Sequence, residues 1–230
     1  MKILSIETST MLGGVAVLDG ETGLVAETRL NVKTTHSERL MTVIDGVLKQ
    51  SDWGIEAIDA FAVAIGPGSF TGLRIGLSAA KGLSFATGKP IVTVPTLEAF
   101  AYNFPYCPWP VCLLLDARKG EVYAAIFRWE DGTFLRAAEE ASLPAEVLVK
   151  SLEGPVLFAG EGAALYRSVI EGVMKERAVF ASAEKMVPSP ANVAALGLAK
   201  AVRGEFEDLP SAVPFYIRKS EAEVKWSKRT

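Results

Sequence analysis

One order of strands, turns and helices is written twice along this chain, and few folds accommodate such a duplication. Apolar runs of strand length occupy residues 2–7, 13–19 and 24–30, and the Asp19-Gly20 pair between the last two is a hairpin signal. Residues 35–50 then carry Leu40, Ile44, Val47 and Leu48 on one helical stripe. A continuous apolar run at 60–65 reads as a strand covered on both faces; a helix over 71–86, a strand over 91–94 and a short helix over 96–102 follow. After the Pro-rich stretch 105–110 the order begins again. A strand over 111–116 ends in an acid as the first did, and a hairpin of 121–129 and 133–137 turns at Asp131-Gly132. Helices near 144–150 and 163–170 and over 190–202 alternate with strands at 155–159 and 178–180. Glu7 and Asp116 lie 109 positions apart, Asp19 and Asp131 112. The expectation is an α/β protein of two βββαβα lobes on one plan, residues 1–105 and 106–230, the second with a basic C-terminal tail. Two such lobes describe the actin-like, Hsp70-like (ASKHA) architecture, whose nucleotide phosphates sit near the first hairpin of each lobe; the equivalent places are residues 7–14 and 116–121.

Half of the 230 residues are apolar and the formal net charge is −3, which suits a packed core and disfavours an autonomous nucleic-acid binder. Cys107 and Cys112 stand five apart in Cys-Pro-Trp-Pro-Val-Cys and read as reduced, buried thiols, since two thiols alone make a poor metal site. Residues 1–7 lack a charged n-region and apolar h-region, and no apolar run approaches the ~20 residues of a membrane span. A cytoplasmic protein without membrane contact is expected.

The most informative segment is Ile65-Gly66-Pro67-Gly68-Ser69-Phe70-Thr71-Gly72-Leu73-Arg74-Ile75-Gly76. One reading is a tight strand-to-helix turn capped by Ser69 or Thr71. The other is a phosphate cradle at a helix N-terminus. It is no P-loop, because no Lys follows the last loop glycine, and no dinucleotide fingerprint, because Thr71 holds the place of the third glycine. In the helix that follows, Gly72, Gly76, Ala79 and Ala80 share a face, which invites close approach of another helix, from this chain or from a partner.

These residues carry a resemblance. Ile6-Glu7-Thr8-Ser9, His36-Ser37-Glu38, the glycine-rich string, Ala79-Ala80-Lys81-Gly82-Leu83, Asp116-Ala117-Arg118 and Pro214-Phe215-Tyr216-Ile217-Arg218 resemble the TsaB family across nearly the whole chain. The resemblance implies an actin-like two-lobed fold and a scaffold role in making N6-threonylcarbamoyladenosine at position 37 of tRNA. It implies a catalytic homologue, TsaD, and an ATPase, TsaE, as partners, and a homodimer that gives way to a TsaB–TsaD heterodimer through one helical face. That face is expected on the helices over 35–50 and 71–86, with His36, Arg39, Leu40, Ile44, Val47, Gly72, Leu73, Gly76, Leu77 and Ala80. Arg39, Arg74 and Lys81 flank it as solvated charges or as contacts to an interfacial phosphate. A bulky residue at Gly76 is expected to block association and spare the fold. No cofactor is expected to bind tightly; ATP or ADP would find a place only at the interface of the complex, and tRNA only through it.

The catalytic relative grips its metal with an Asn-His-Leu-Glu-Gly-His run. Pro95-Thr96-Leu97-Glu98-Ala99-Phe100 stands there in this chain, with Thr96 and Phe100 in place of both imidazoles, so no catalytic or metal residue is expected. The single histidine, His36, reads as a helix-end residue on a partner face. Two other function classes compete. A stand-alone actin-fold ATPase or kinase would use Glu7 and Asp116 on Mg²⁺, although the usual Asp-Xaa-Gly-Thr pattern is absent. A metallopeptidase would need ligands that Thr96 and Phe100 do not supply. The tail over 215–230, with five basic and two acidic residues, either contacts tRNA or a partner or is solvated.

Overall fold

In a computed structural model, which describes residues 1–31 and 36–218, the duplication is literal. The first sheet comprises β1 (Lys2–Glu7), β2 (Leu12–Asp19), β3 (Gly23–Asn31), β4 (Ala60–Ala64) and β5 (Ile91–Val94), in the order β3-β2-β1-β4-β5. The second comprises β6 (Val111–Arg118), β7 (Glu121–Glu130), β8 (Thr133–Pro144), β9 (Val156–Ala159) and β10 (Ala178–Phe180), in the order β10-β9-β6-β7-β8. Each sheet is antiparallel across its first three strands and parallel across the last two pairs. The two strand orders are one order written in opposite directions.

The helices are α1 (His36–Gln50), α2 (Phe70–Thr87), α3 (Thr96–Ala101), α4 (Ala145–Lys150), α5 (Glu161–Leu165), α6 (Arg167–Met174) and α7 (Pro190–Val202). The stretch expected as one helix near 163–170 is two, broken at Tyr166. Alternation along the strands sorts the core into layers. Leu4, Ile6, Val15 and Val17 pack with Leu40, Ile44, Val47, Leu77 and Ala80 of α1 and α2. On the other face of that sheet, Ile3, Leu18, Ala60, Ala62 and Ala64 meet Val193, Ala194 and Ala201 of α7. Leu113, Leu115, Ala125 and Phe127 of the second sheet pack on Leu97, Phe100 and Ala101 of α3. Its far face packs on α4, α5 and α6 through Leu148, Val149, Ala163, Ile170 and Met174.

The boundary between residues 105 and 106 falls in the loop joining α3 to β6, but packing does not follow it. The closing helix of each half lies on the other half's sheet: α3 against the second, α7 against the first. A side chain at Gly197 of α7 would put its Cβ 2.4 Å from that of Ala62, so the helix rides directly on β4. The chain after α7 also returns to the first sheet, where the Glu207 amide donates to the Ile91 carbonyl at 2.9 Å.

The two Asp-Gly pairs make different turns. Asp131 and Gly132 both take positive φ (49° and 82°) between the paired Glu130 and Thr133, a two-residue turn as read. At Asp19-Gly20 the pairing closes at Gly23, whose φ of 89° carries the turn, and Asp19 Oδ1 accepts from the Glu21 amide at 2.8 Å. A dipeptide signals the turn; the register of its strands decides which residue bends.

Within α2, three glycines sit in different surroundings. A Cβ at Gly72 would lie 2.0 Å from the Thr8 carbonyl oxygen, whereas at Gly82 nothing stands within 4 Å. Gly72→Ala is therefore expected to lose about 2 kcal/mol or more, and Gly82→Ala to gain up to ~1 kcal/mol. Urea denaturation of the two variants checks the opposite signs.

Candidate functional site

The candidate phosphate places are the ends of β1 and β6, at residues 7–14 and 116–121, and, separately, the glycine-rich turn into α2. That turn follows the structural reading. Ser69 caps α2, its hydroxyl accepting from the Gly72 amide at 3.2 Å; Thr71 does not take that place. The Ser69 amide donates to the Ser9 carbonyl at 2.7 Å, and the Thr8 hydroxyl donates to the Gly72 carbonyl at 2.8 Å. Of the donors a phosphate would want, the Ser69 amide is thus spent on the loop after β1 and the Gly72 amide on the Ser69 hydroxyl.

Glu7 is fully buried at the end of β1. Its Oε1 accepts from both the amide and the hydroxyl of Ser9 at 2.6 Å, while Oε2 has no partner. Burial pushes its carboxyl up to about 7 against the opposing pull of Ser9. Half protonated near neutral pH, it is a poor magnesium ligand, since hard cations want ionised oxygen. Its counterpart Asp116 is half-buried; Oδ1 accepts from the Arg118 amide at 2.8 Å and Oδ2 pairs with the Arg118 guanidinium at 3.1 Å. Glu161, at the start of α5, is held above the usual carboxylate range by burial and then by the charge of Asp116.

Thr96 and Phe100, in the places of the relative's imidazoles, have structural work. The Thr96 hydroxyl accepts from the Gly66 amide at 3.1 Å and the Gly66 carbonyl from the Thr96 amide at 2.8 Å. Phe100 is buried in the second core. No group of three or more His, Cys, Asp or Glu stands close enough to hold a metal ion among the described residues, nor is any helix among them long and apolar enough to cross a membrane.

The expected partner face needs correcting at its centre. Gly72 and Gly76 do not open toward another chain: a Cβ at Gly76 would sit 2.3 Å from Thr8 Oγ1 and 3.3 Å from Ile6 Cγ2. Bulk at Gly76 would thus strike the fold itself. Leu73, Leu77, Ala80, Ile44 and Val47 are buried inside this chain, and Leu40 nearly so. His36 opens α1 by its backbone, but its side chain lies outside the described residues. Arg39 is exposed and lines a small pocket with Thr8, Gly14 and Leu30; Lys81 is half-buried. The Arg74 guanidinium lies 3.9 Å above the Phe70 ring and its Nε donates to the Tyr216 hydroxyl at 2.9 Å, so it is committed within the chain. Residues 215–218 of the tail are docked rather than solvated: Phe215 donates to the Ile65 carbonyl at 2.8 Å, and the Tyr216 ring stacks on Phe70 at 4.9 Å. Residues 219–230 lie outside the described chain.

What the helices do turn outward is a groove of about 410 Å³ between α1 and α2, lined by Leu40, Met41, Arg74, Ile75, Ser78 and Ala79. Met41 is 53% and Phe85 86% exposed on the outer faces of α1 and α2. Sequence reasoning missed these residues by following the small-residue stripe. The signal was a large apolar side chain interrupting a polar stripe: Phe85 continues the spacing of Arg74, Ser78 and Lys81.

Comparisons with known proteins agree on the frame. The family model for TsaD, tRNA N6-adenosine threonylcarbamoyltransferase, matches residues 25–226. The tRNA threonylcarbamoyladenosine biosynthesis protein TsaB of Bacillus subtilis is 33% identical over 229 residues, 98% of each chain. YeaZ from Pseudomonas aeruginosa superposes with a TM-score of 0.79 at 27% identity, over 94% of this chain and 99% of that one. Component A of the (R)-2-hydroxyglutaryl-CoA dehydratase of Acidaminococcus fermentans shares the fold alone, at 12% identity and a TM-score of 0.53 over 88% of this chain and 99% of that one.

The Glu7 carboxyl sets a pH dependence. With its folded pKa near 7 and its ordinary value at 4.5, the native state holds the proton more tightly than the unfolded chain. The resulting stability is full below pH 4.5 and is lost as pH rises to 7, on the order of 3 kcal/mol in all. Glu7→Gln is expected to flatten that part of the profile, read by chemical denaturation at pH 4.5, 6 and 8.

Proposed function

The chain belongs to the family of the tRNA threonylcarbamoyladenosine biosynthesis protein TsaB, and from that premise we propose that it is the non-catalytic partner subunit of the complex that makes this modification. Its working partner is a TsaD-like catalytic subunit, joined by a TsaE-like ATPase. A second copy of the chain occupies the same face when the catalytic subunit is absent. The tRNA is met only through the complex, in the cytoplasm, and any nucleotide belongs to the interface between subunits.

The observation that carries this reading is the employment of Thr96 and Phe100. One hydroxyl closes a hydrogen bond to Gly66 and one phenyl ring fills the second core. Neither is held open for a cation, and phenyl has no lone pair to give one. The buried Glu7, whose carboxyl burial pushes up to about 7, supports it further, because phosphoryl transfer needs ionised carboxylates on magnesium. The apolar groove between α1 and α2, lined in part by Met41, and the exposed Phe85 further along α2 supply the docking face, since exposed large apolar groups mark interaction surfaces.

Reconstitution tests the role. The TsaD-like and TsaE-like proteins of the same organism are expected to modify tRNA only when this chain is added, and the chain alone is expected neither to modify tRNA nor to hydrolyse ATP. Full modification without it would end the scaffold reading. Phe85→Asp and Met41→Asp test the face. Both positions are exposed, so the fold is expected to lose no more than about 0.5 kcal/mol. Association with the catalytic subunit, measured by calorimetry, is expected to weaken at least about tenfold.

A further inference from the structure

The groove between α1 and α2 is mostly apolar, and one cation stands in its wall. Of Leu40, Met41, Arg74, Ile75, Ser78 and Ala79, only Arg74 carries a charge. An exposed helical arginine ordinarily samples many rotamers or leans on an acid three or four positions away. Arg74 does neither. Phe70, Thr71, Leu77 and Ser78 hold those positions. Its guanidinium lies 3.9 Å over the Phe70 ring and 6.0 Å from the Tyr216 ring, which stacks on Phe70 at 4.9 Å. Its Nε donates to the Tyr216 hydroxyl at 2.9 Å.

The segment that brings Tyr216 there is itself fixed. Ala212 is buried, and the Phe215 amide donates to the Ile65 carbonyl at 2.8 Å. Two rings and one hydroxyl therefore hold one face and one nitrogen of the guanidinium. The two Nη nitrogens, at the tip of the fork, make no hydrogen bond or ion pair with any described residue. The exposed Asp45 of α1, one turn beyond Met41, is engaged by Lys49 at 2.7 Å. The charge of Arg74 is thus left for something outside the described chain.

A planar fork held at its stem and free at its tip matches a carboxylate, which it grips with two parallel hydrogen bonds. The rings have already removed the rotamer freedom that a loose arginine would lose on binding. A partner seated in the groove would also shut out water, which strengthens such a pair. We propose that Arg74 is the carboxylate receptor of this face, and that the TsaD-like subunit presents to it an Asp or Glu set among apolar side chains. This rests on the reading of the groove as the docking face and adds the charge that the partner brings. One guanidinium matches one carboxylate, whereas the phosphates of a nucleotide would call for more cations than this wall supplies. The same fork discriminates among partners, because a surface without an acid at that point would bury the guanidinium unpaired.

The test is calorimetry of the full chain with the TsaD-like subunit of the same organism, without nucleotide or phosphate, at about 0.05 and 0.5 M salt. Arg74→Gln is expected to weaken association about tenfold or more at low salt and to remove most of its salt dependence. Arg74→Lys, which keeps the charge without the fork, is expected to keep the salt dependence and to stay at least about threefold weaker than the wild type. Tyr216→Phe, which keeps the stack and removes only the acceptor of Nε, is expected to weaken association about threefold. If Arg74 merely clamped the chain after α7 onto α2, Arg74→Gln would lower the urea midpoint and leave the affinity and its salt dependence unchanged. That result would overturn the receptor, as would a loss of affinity seen only when ATP is added, which would assign the anion to a nucleotide. Phe85→Asp separates the two readings. If it weakens association and Arg74→Gln does not, the face stands and the receptor falls; if neither does, both fall.

Discussion

The exchange of closing helices is the constraint on which the rest of this structure depends. Each five-stranded sheet has two apolar faces, and each half of the chain places its own helices on only one of them. The second face of the first sheet is covered by α7, from the far end of the chain, and that of the second sheet by α3. Neither half could bury its sheet alone, because an uncovered row such as Ala60, Ala62 and Ala64 would meet water. Two lobes that read as separable in sequence are thus one interlocked body. The chain between α3 and β6 is a crossing, not a linker.

This interlock leaves α2 with no freedom on its inner side. Gly72 and Gly76 let the helix lie against Thr8 and Ile6, and the loop after β1 in turn uses the amide of Ser69. The glycines of the glycine-rich string are a packing device for the first lobe. Whatever a partner touches on this helix must be written in the residues between, which is why Ile75, Ser78, Ala79 and Phe85 matter and the glycines do not.

Much of the fold was legible, for reasons that also mark the limit. The duplicated βββαβα order of elements was legible in the repeat of turns and apolar runs. The spans of β1, β5, β10 and α7 came out to the residue; prolines flank β5 on both sides and Pro190 opens α7. What was not legible was long-range. No periodicity says that Gly197 meets Ala62, that Gly76 faces Thr8, or that Tyr216 returns to Phe70. Small residues at helical spacing say only that something comes close, and whether it is a strand of the same chain or a helix of another is a tertiary fact. The Asp19-Gly20 pair marked its hairpin, but the bend sits at Gly23 because the register of the strands decides it.

The duplicated frame also shows how one plan came to hold two unlike ends. β1 and β6 finish on carboxylates at matching positions, yet Glu7 is sealed with an unpaired oxygen and Asp116 is half-open and paired with Arg118. A symmetric grip on a nucleotide and its cation asks both lobes for ionised oxygen facing one space. Here burial pushes one carboxyl up to about 7, and the other is engaged by the amide and the guanidinium of Arg118. Keeping the architecture while disabling the symmetric chemistry leaves a rigid pair of lobes whose useful surfaces are outside them. That is the physical ground for the role proposed above, of a subunit that acts by shape.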